Sequence, residues 1–453
     1  MSSIRRDRGF AAVLAILMLA ILFTLAVSYA AVYNQNSLQS ANLARAEAAR
    51  MNAEGGLSVL LQQLSNVRIP AGTYGSAALS SLAGSLGTQL NGTPNLAGAT
   101  VTLSGGTITI PSITTDADRG RSFGATITMD SNSVVRVKVT AVSGGASRTS
   151  QICLNITAGR SAVFNYGVAA KGPILMKGSA QLLGANNDHE ADLFTAAYVD
   201  VPVSLYGNVT LEGDISLGDP TGIVYLSSNA TVGNETGDDR WEHVHVGVGG
   251  VEFPTIDPSV FEPFATTIVD SHTSLSDRTL TNIRIKAGTN PTFSGNTTIN
   301  GVVFIETPNH VKFTGNLYLT GVVVTQDAGH NNTANNTLDF AGTTYCAGVD
   351  SLPQQPQFAQ LRNMPGTFLL APGFETDFSG NFGMINGAMA GETFKFSGNT
   401  GGVIGGTVIS YGDTTFTETG SSMLIINKAH APQQPPGFTT SAKLVPDMDS
   451  YGE

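Results

Sequence analysis

No charged residue occurs from Phe10 to Ala44, and the first part of that stretch, which reads FAAVLAILMLAILFTLAVSYAAV to Val32, is apolar at nearly every position. About 20 such residues at roughly 1.5 Å rise each cross a ~30 Å hydrocarbon core, so the pattern predicts a membrane-spanning helix. From Tyr33 to about Val67 the apolar positions thin to Leu38, Leu43, Leu57, Leu60, Leu61 and Leu64, and the first proline is Pro70. The helix is therefore expected to continue over 10–67 with one apolar face. Glu47, Arg50 and Glu54 stand at helical neighbour spacings, while Gly55-Gly56 is expected to bend or weaken the helix. Residues 68–98 are rich in Gly, Ser, Ala and Thr and read as a linker or a short helix with loops.

Over 99–160 the period becomes two. Thr107-Ile108-Thr109-Ile110, Ala125 to Met129, Val135 to Val139 and Gln151 to Ile156 alternate apolar with polar, and Gly105-Gly106 and Gly144-Gly145 separate strands as hairpin turns. This predicts a small antiparallel sheet whose inner face needs an apolar partner, which the helix can supply.

Residues 161–430 repeat themselves. Four F-[ST]-G-N corners occur, at Phe293-Ser-Gly295-Asn296, Phe313-Thr-Gly315-Asn316, Phe378-Ser-Gly380-Asn381 and Phe396-Ser-Gly398-Asn399, spaced 20 residues apart in the first pair and 18 in the second. A period near 20 with short strands predicts a right-handed parallel β-helix, a solenoid in which phenylalanines stack inward, glycines make left-handed corners and asparagines form amide ladders. A β-sandwich with recurring F-x-G-N turns is the competing architecture. The last segment, 431–453, is proline-rich and acidic and reads as a flexible tail. The expected class is α+β: long helix, small antiparallel sheet, then a large all-β solenoid.

Composition narrows the function. Charged residues are 13% of 453 and glycines number 52, a profile of extracellular β-rich surface proteins. A net charge of −11 speaks against nucleic acid as a partner, since phosphate backbones require clustered Lys and Arg. Two cysteines, Cys153 and Cys346, are either a disulfide between modules or two buried thiols, and neither has C-x-x-C spacing.

Candidate chemistry is sparse. Trp241, His243 and His245 would share one face of a strand and could face a metal, but no third ligand is identifiable, so the reading carries no metal and no cofactor. Glu375 and Asp377 share a strand face at about 6.8 Å, a separation usable by a polysaccharide hydrolase or lyase. Only ten Lys and Arg lie between Ser161 and His430, which weakens a lyase, where a base beside an acidic calcium cluster is needed. Loops 186–192 and 327–336 offer oxygens to calcium without a recognised ligand spacing.

The N-terminus adds a resemblance. Arg5-Arg6-Asp7-Arg8-Gly9 followed abruptly by Phe10 resembles the class III leader of type IV pilins and pseudopilins, cut after the glycine by a prepilin peptidase that methylates the next residue. Leu43 to Leu57, reading LARAEAARMNAEGGL, is similar to a stretch of PilX-like pilus-assembly proteins and of the large type II secretion minor pseudopilin. The match covers roughly the first 65 residues. It implies a leader at 1–9, cleavage between Gly9 and Phe10, and a pilin-like helix after it. The fifth mature position, a glutamate in major pilins, is Leu14 here, which implies a minor or tip subunit. A signal peptide cut near Ser28-Tyr29-Ala30 and a plain uncleaved anchor remain open beside it.

The resulting expectation is a non-enzymatic minor pilin or pseudopilin of a type IV pilus or type II secretion fibre. It would sit in the inner membrane before assembly, then in a periplasm-facing or cell-surface fibre. Its partners would be other pilins or pseudopilins through the helix, the prepilin peptidase, and a surface glycan or protein at the head. The alternative is a membrane-tethered β-helix polysaccharide lyase or hydrolase.

Overall fold

The structure, a computed structural model, describes residues 7–70, 73–159, 161–432 and 434–452. The chain divides into two compact units, one formed by residues up to Gly159 together with Ser441 onward, the other by Arg160–Thr440.

The first unit is built on helix α1, Asp7–Ser65. Its C-terminal half lays Ala49, Ala53, Leu57, Leu60 and Leu64 onto the sheet, at spacings of three and four residues that keep them on one face. The sheet is six-stranded and antiparallel, in the order Thr102–Ser104, Thr107–Asp116, Arg121–Ser131, Val134–Ser143, Ala146–Ala158 and Ala442–Gly452. Ile108, Ile127, Val135, Val137, Val139, Ile152 and Leu154 meet the helix in one core. Gly144 and Gly145 both have positive φ, the backbone a two-residue hairpin turn demands.

Of the two readings of residues 68–98, a linker or a short helix with loops, the structure has the helix: α2, Gly75–Leu90, buries Ala78, Leu79, Leu82 and Leu86. Small residues between those positions mask the apolar stripe. One expectation is corrected here, the flexible tail, which is ordered: Ala442–Gly452 pairs antiparallel with Ala146–Ala158, burying Ala442 and Leu444. Its alternation is too short to stand out beside Pro446 and the acidic residues.

The glycine pair does not break α1, which is continuous to Ser65. A Cβ on Gly56 would stand 2.7 Å from the Phe123 ring, whereas one on Gly55 meets nothing within 4 Å. Gly56→Ala is therefore expected to destabilise the first unit by about 1–3 kcal/mol through overpacking. Gly55→Ala should stabilise it by about 0.5–1 kcal/mol through lower unfolded-state entropy. Thermal unfolding of the two variants checks this, and shifts of the same sign would refute the assignment of Gly56 to the ring contact.

The second unit is a 25-stranded sheet of short, mostly parallel strands wound in stacked turns. Asn296–Ile305 and Asn316–Thr325 run residue for residue, 20 positions apart. Phe293, Phe313, Phe340, Phe378 and Phe396 form one inward column, with centroids 4.8, 5.0, 4.7 and 5.1 Å apart and ring planes within 15°. The central member, Phe340, starts a variant corner, Phe340-Ala-Gly342-Thr, that the F-[ST]-G-N pattern passes over. Asn316 donates to Asn296 at 2.9 Å, the predicted amide ladder, while Asn381 and Asn399 are exposed at their corners. Left-handed backbone occurs at Gly295 and Gly398. Gly315 and Gly380 instead lack room for a Cβ, which would strike the carbonyl oxygens of Gly295 and Gly342 in the adjacent turn.

The order of turns is not the order of the chain. Ile174–Gly178 pairs on one side with Val203–Gly207 and on the other with Phe416–Gly420. Val168–Ala170 likewise stacks on Val408–Ser410, and Gln181–Gly184 on Met423–Ile426. The chain thus enters in mid-stack, winds outward to Val244–Val246, and restarts at the opposite end with Thr267–Val269. From there it winds back to meet its own beginning. The reversal is possible because the connecting segment 247–266 has a place to dry its apolar residues. Phe253, Ile256, Phe261 and Ala265 cover Val302, Phe304, Val322, Val324 and Leu370 on the outer face of the turns.

The two cysteines do not pair. Both are free and buried. Cys153 lies in the antiparallel sheet, and Cys346 stacks inward between Leu319 and Ile385, where burial pushes its thiol pKa far up.

Candidate functional site

Helix α1 has two halves of opposite character. From Ala49 onward one face is buried, with Ala49 and Ala53 at 0% exposure. Before it, Phe10, Leu19 and Leu22 are 73%, 72% and 64% exposed, and Leu14 and Leu17 are also open. A run of this hydropathy is long and apolar enough to cross a membrane. Apolar surface left in water costs roughly 25 cal/mol per Å2, so this half requires lipid or other helices around it.

The helix is tied to its sheet by polar contacts at the change of character. The Asn52 amide donates to the Ser122 carbonyl at 3.0 Å and accepts from the Thr115 hydroxyl at 3.1 Å. One turn either side, Arg50 reaches Glu47 at 2.7 Å and Glu54 at 2.8 Å, as their spacing predicts. Such exposed pairs contribute little, because solvent screens them. The amide contacts, which cross from helix to sheet, fix the rotation of the helix.

Gly9 and Phe10 lie in the first turns of α1, and the alternative cleavage point at 28–30 is in mid-helix. Met1 to Arg6, with two of the leader arginines, lie outside the described residues. Leu14, at the fifth position after Gly9, is 53% exposed on the same apolar surface. The chemistry available to this surface is association: it offers shape and apolar area, and its exposed span from Phe10 carries no charge before Arg45.

The other candidates fare differently. Glu375 is held by Lys395 at 2.7 Å. Asp377 stacks in register with Asp339 on one side and Lys395 on the other, and Lys312 lies 3.5 Å from Asp339. Burial first, and the Asp339 charge second, push the Asp377 carboxyl above its usual range. Asp377 is thus one of two adjacent carboxylates flanked by lysines in an outward ladder, Lys312, Asp339, Asp377 and Lys395, and Glu375, in the neighbouring column, pairs with its last lysine. In loop 186–192, the buried Glu190 carboxylate accepts from the backbone N–H groups of Asn186 and Lys428. In loop 327–336, His330 and Asn331 instead turn to Glu392. Trp241 and His243 fall in a short 3-10 segment, Asp239–His243, not a strand, and His245 follows in Val244–Val246. Both histidines reach Asp214, a residue not singled out in the sequence. A signal for it existed: Asp192, Asp214 and His243 each stand directly before a short strand.

No family model matches the chain, and no curated protein matches it. Among solved structures it is similar to the competence-associated pilin ComZ from Thermus thermophilus, at 15% identity over 90% of this chain and 97% of that one. The TM-score is 0.28, too low for inference about function.

Proposed function

We propose that the protein is a minor pilin-like structural subunit, held in a membrane and then in a fibre by the exposed half of α1, and displaying the wound sheet outward. The observation that carries this reading is the division of α1: one half is dried by the protein's own sheet, and the other is apolar on all sides with no cover among the described residues. The basic leader ending at Gly9 and the Leu43–Leu57 stretch support a prepilin route, and Leu14 supports a minor or tip position. An uncharged fifth position leaves no carboxylate to pair with a neighbour's amine inside a helix bundle, where an unpaired charge is costly. The protein works by assembly and contact, not catalysis; the lysine partnered to Glu375 supports a structural role for that ladder.

The test is intact-mass and N-terminal peptide spectrometry on protein from its native envelope, with and without the prepilin peptidase. The expected result is a mature chain starting at N-methylated Phe10 only when the peptidase is present. A start at Ala31, or an intact leader in both cases, would refute the pilin reading.

A further inference from the structure

Leu193–Thr195, Ile215–Leu217 and Val244–Val246 are stacked in parallel, with Leu193 opposite Ile215 and Ile215 opposite Val244. The residues directly before these strands, Asp192, Asp214 and His243, therefore occupy the same corner of three successive turns, roughly 4.8 Å apart. Two carboxylates stacked this way repel each other, and like charges in opposed positions destabilise a sheet. Their surroundings are built to hold them. The Asp214 N–H donates to Asp192 Oδ1 at 2.9 Å. His243 Nδ1 lies 2.7 Å from Asp214 Oδ1, and His245 Nε2 lies 2.9 Å from Asp214 Oδ2. The His243 ring is seated against Gly233, where any side chain would collide with it. From the solvent side, His189 brings Nδ1 to 3.5 Å from Asp192 Oδ1. The ligand atoms of His189, Asp192 and Asp214 all lie within 4.8 Å of one another.

We propose that this corner is a divalent-metal site of the zinc class. His189, Asp192 and Asp214 are the ligands, and His243 and His245 orient Asp214 by donating to it. One imidazole nitrogen and two carboxylate oxygens suit a borderline ion with room for a fourth, exchangeable ligand, whereas calcium and magnesium prefer oxygen alone. A dication removes the repulsion between the stacked acids, and hydrogen bonds to a ligating carboxylate are the usual outer support of such a centre. Its place gives it a task. Among the described residues, the strands of turn 224–246 pair with the rest of the stack on one side only. The ion staples the two turns beneath this end turn to each other and, through the two histidines, to the end turn itself, at an edge that is otherwise open to fraying.

The test uses the full-length, untagged chain in detergent, stripped with a chelator and titrated with zinc chloride against a fluorescent zinc indicator. The expected result is one saturable zinc per chain, with tenfold or greater weakening in His189→Ala and in Asp192→Asn, a smaller loss in His245→Ala, and no displacement by equimolar calcium. Zinc should also raise the unfolding midpoint of the parent chain and not that of Asp192→Asn. His189 is 78% exposed, so its replacement leaves the fold intact and keeps the result interpretable. Absence of saturable zinc, or binding unchanged in both His189→Ala and Asp192→Asn, would overturn the proposal.

Discussion

Replacing Phe340 with alanine is expected to cost the wound sheet about 3–5 kcal/mol, the usual range for removing a fully buried aromatic side chain. The ring is 1% exposed and stacks on Phe313 at 5.0 Å and on Phe378 at 4.7 Å, so the substitution opens a cavity in the middle of a column. Two stacking contacts are lost together, each worth roughly 0.5–1.5 kcal/mol beyond area alone. The outer face supplies the control. Tyr318 and Tyr345 stack at 5.1 Å with planes 5° apart, yet Tyr345 is 47% exposed. Tyr345→Ala should cost under about 1 kcal/mol, because solvent fills the space it leaves and little burial is lost. Urea unfolding of both variants measures the difference; equal midpoint shifts would show that the inner column is not what holds the turns in register.

Stability of the same unit should fall as pH rises from about 5.5 to 8, and Glu418→Gln should abolish most of that fall. Glu418 is wholly buried and stands in register between Phe396 and Met176, where the last turn meets the returning first one. Burial pushes its carboxyl up to about 8, against smaller opposing effects of the Ser422 hydroxyl, which donates at 3.0 Å, and the Gln181 backbone N–H. The folded state thus keeps a proton that the unfolded chain releases near 4.5. The stabilisation is greatest below that value and is lost progressively up to about pH 8, a total on the order of 4–5 kcal/mol. Above pH 8 the slope is contaminated by Lys428, which burial lowers to about 8 and which acts with the opposite sign from there upward. The difference between parent and Glu418→Gln over pH 5.5–8 isolates the carboxyl. Parallel curves for the two proteins over that window would mean that Glu418 is ionised in the folded state.

The sequence carried local structure well and stacking order poorly. The exposed and buried halves of α1 follow directly from the uninterrupted apolar run and from the spacing of Leu57, Leu60 and Leu64. Leu38 and Leu43, read with them, are exposed because they precede the stretch the sheet covers. The phenylalanine column was visible at four of its five members. Phe340 escaped because inserts at 326–335 and 348–366 stretch the interval between corners and because its corner ends in threonine. The reversal of the chain was hidden for a stronger reason. Beyond Glu418 the column position in the first turns of the chain is filled by Met176, Leu205 and Leu226, ordinary strand residues that do not announce which turn they stack upon. The polar corner at Asp192, Asp214 and His243 left only one trace, a polar residue directly before each short strand, because its members lie far apart in sequence and become neighbours only through parallel register.

The last strand of the antiparallel sheet, Ala442–Gly452, comes after the whole wound unit, while its partner ends at Ala158. A ribosome adding roughly 5–20 residues per second needs on the order of ten seconds or more to pass the intervening residues. During that interval the Ala146–Ala158 strand has an unfilled edge, available to any other extended chain nearby. Emergence of residues 442–452 is then the step that closes the sheet. A chain cut before Ala442 would carry its helix and wound unit and yet keep an adhesive edge.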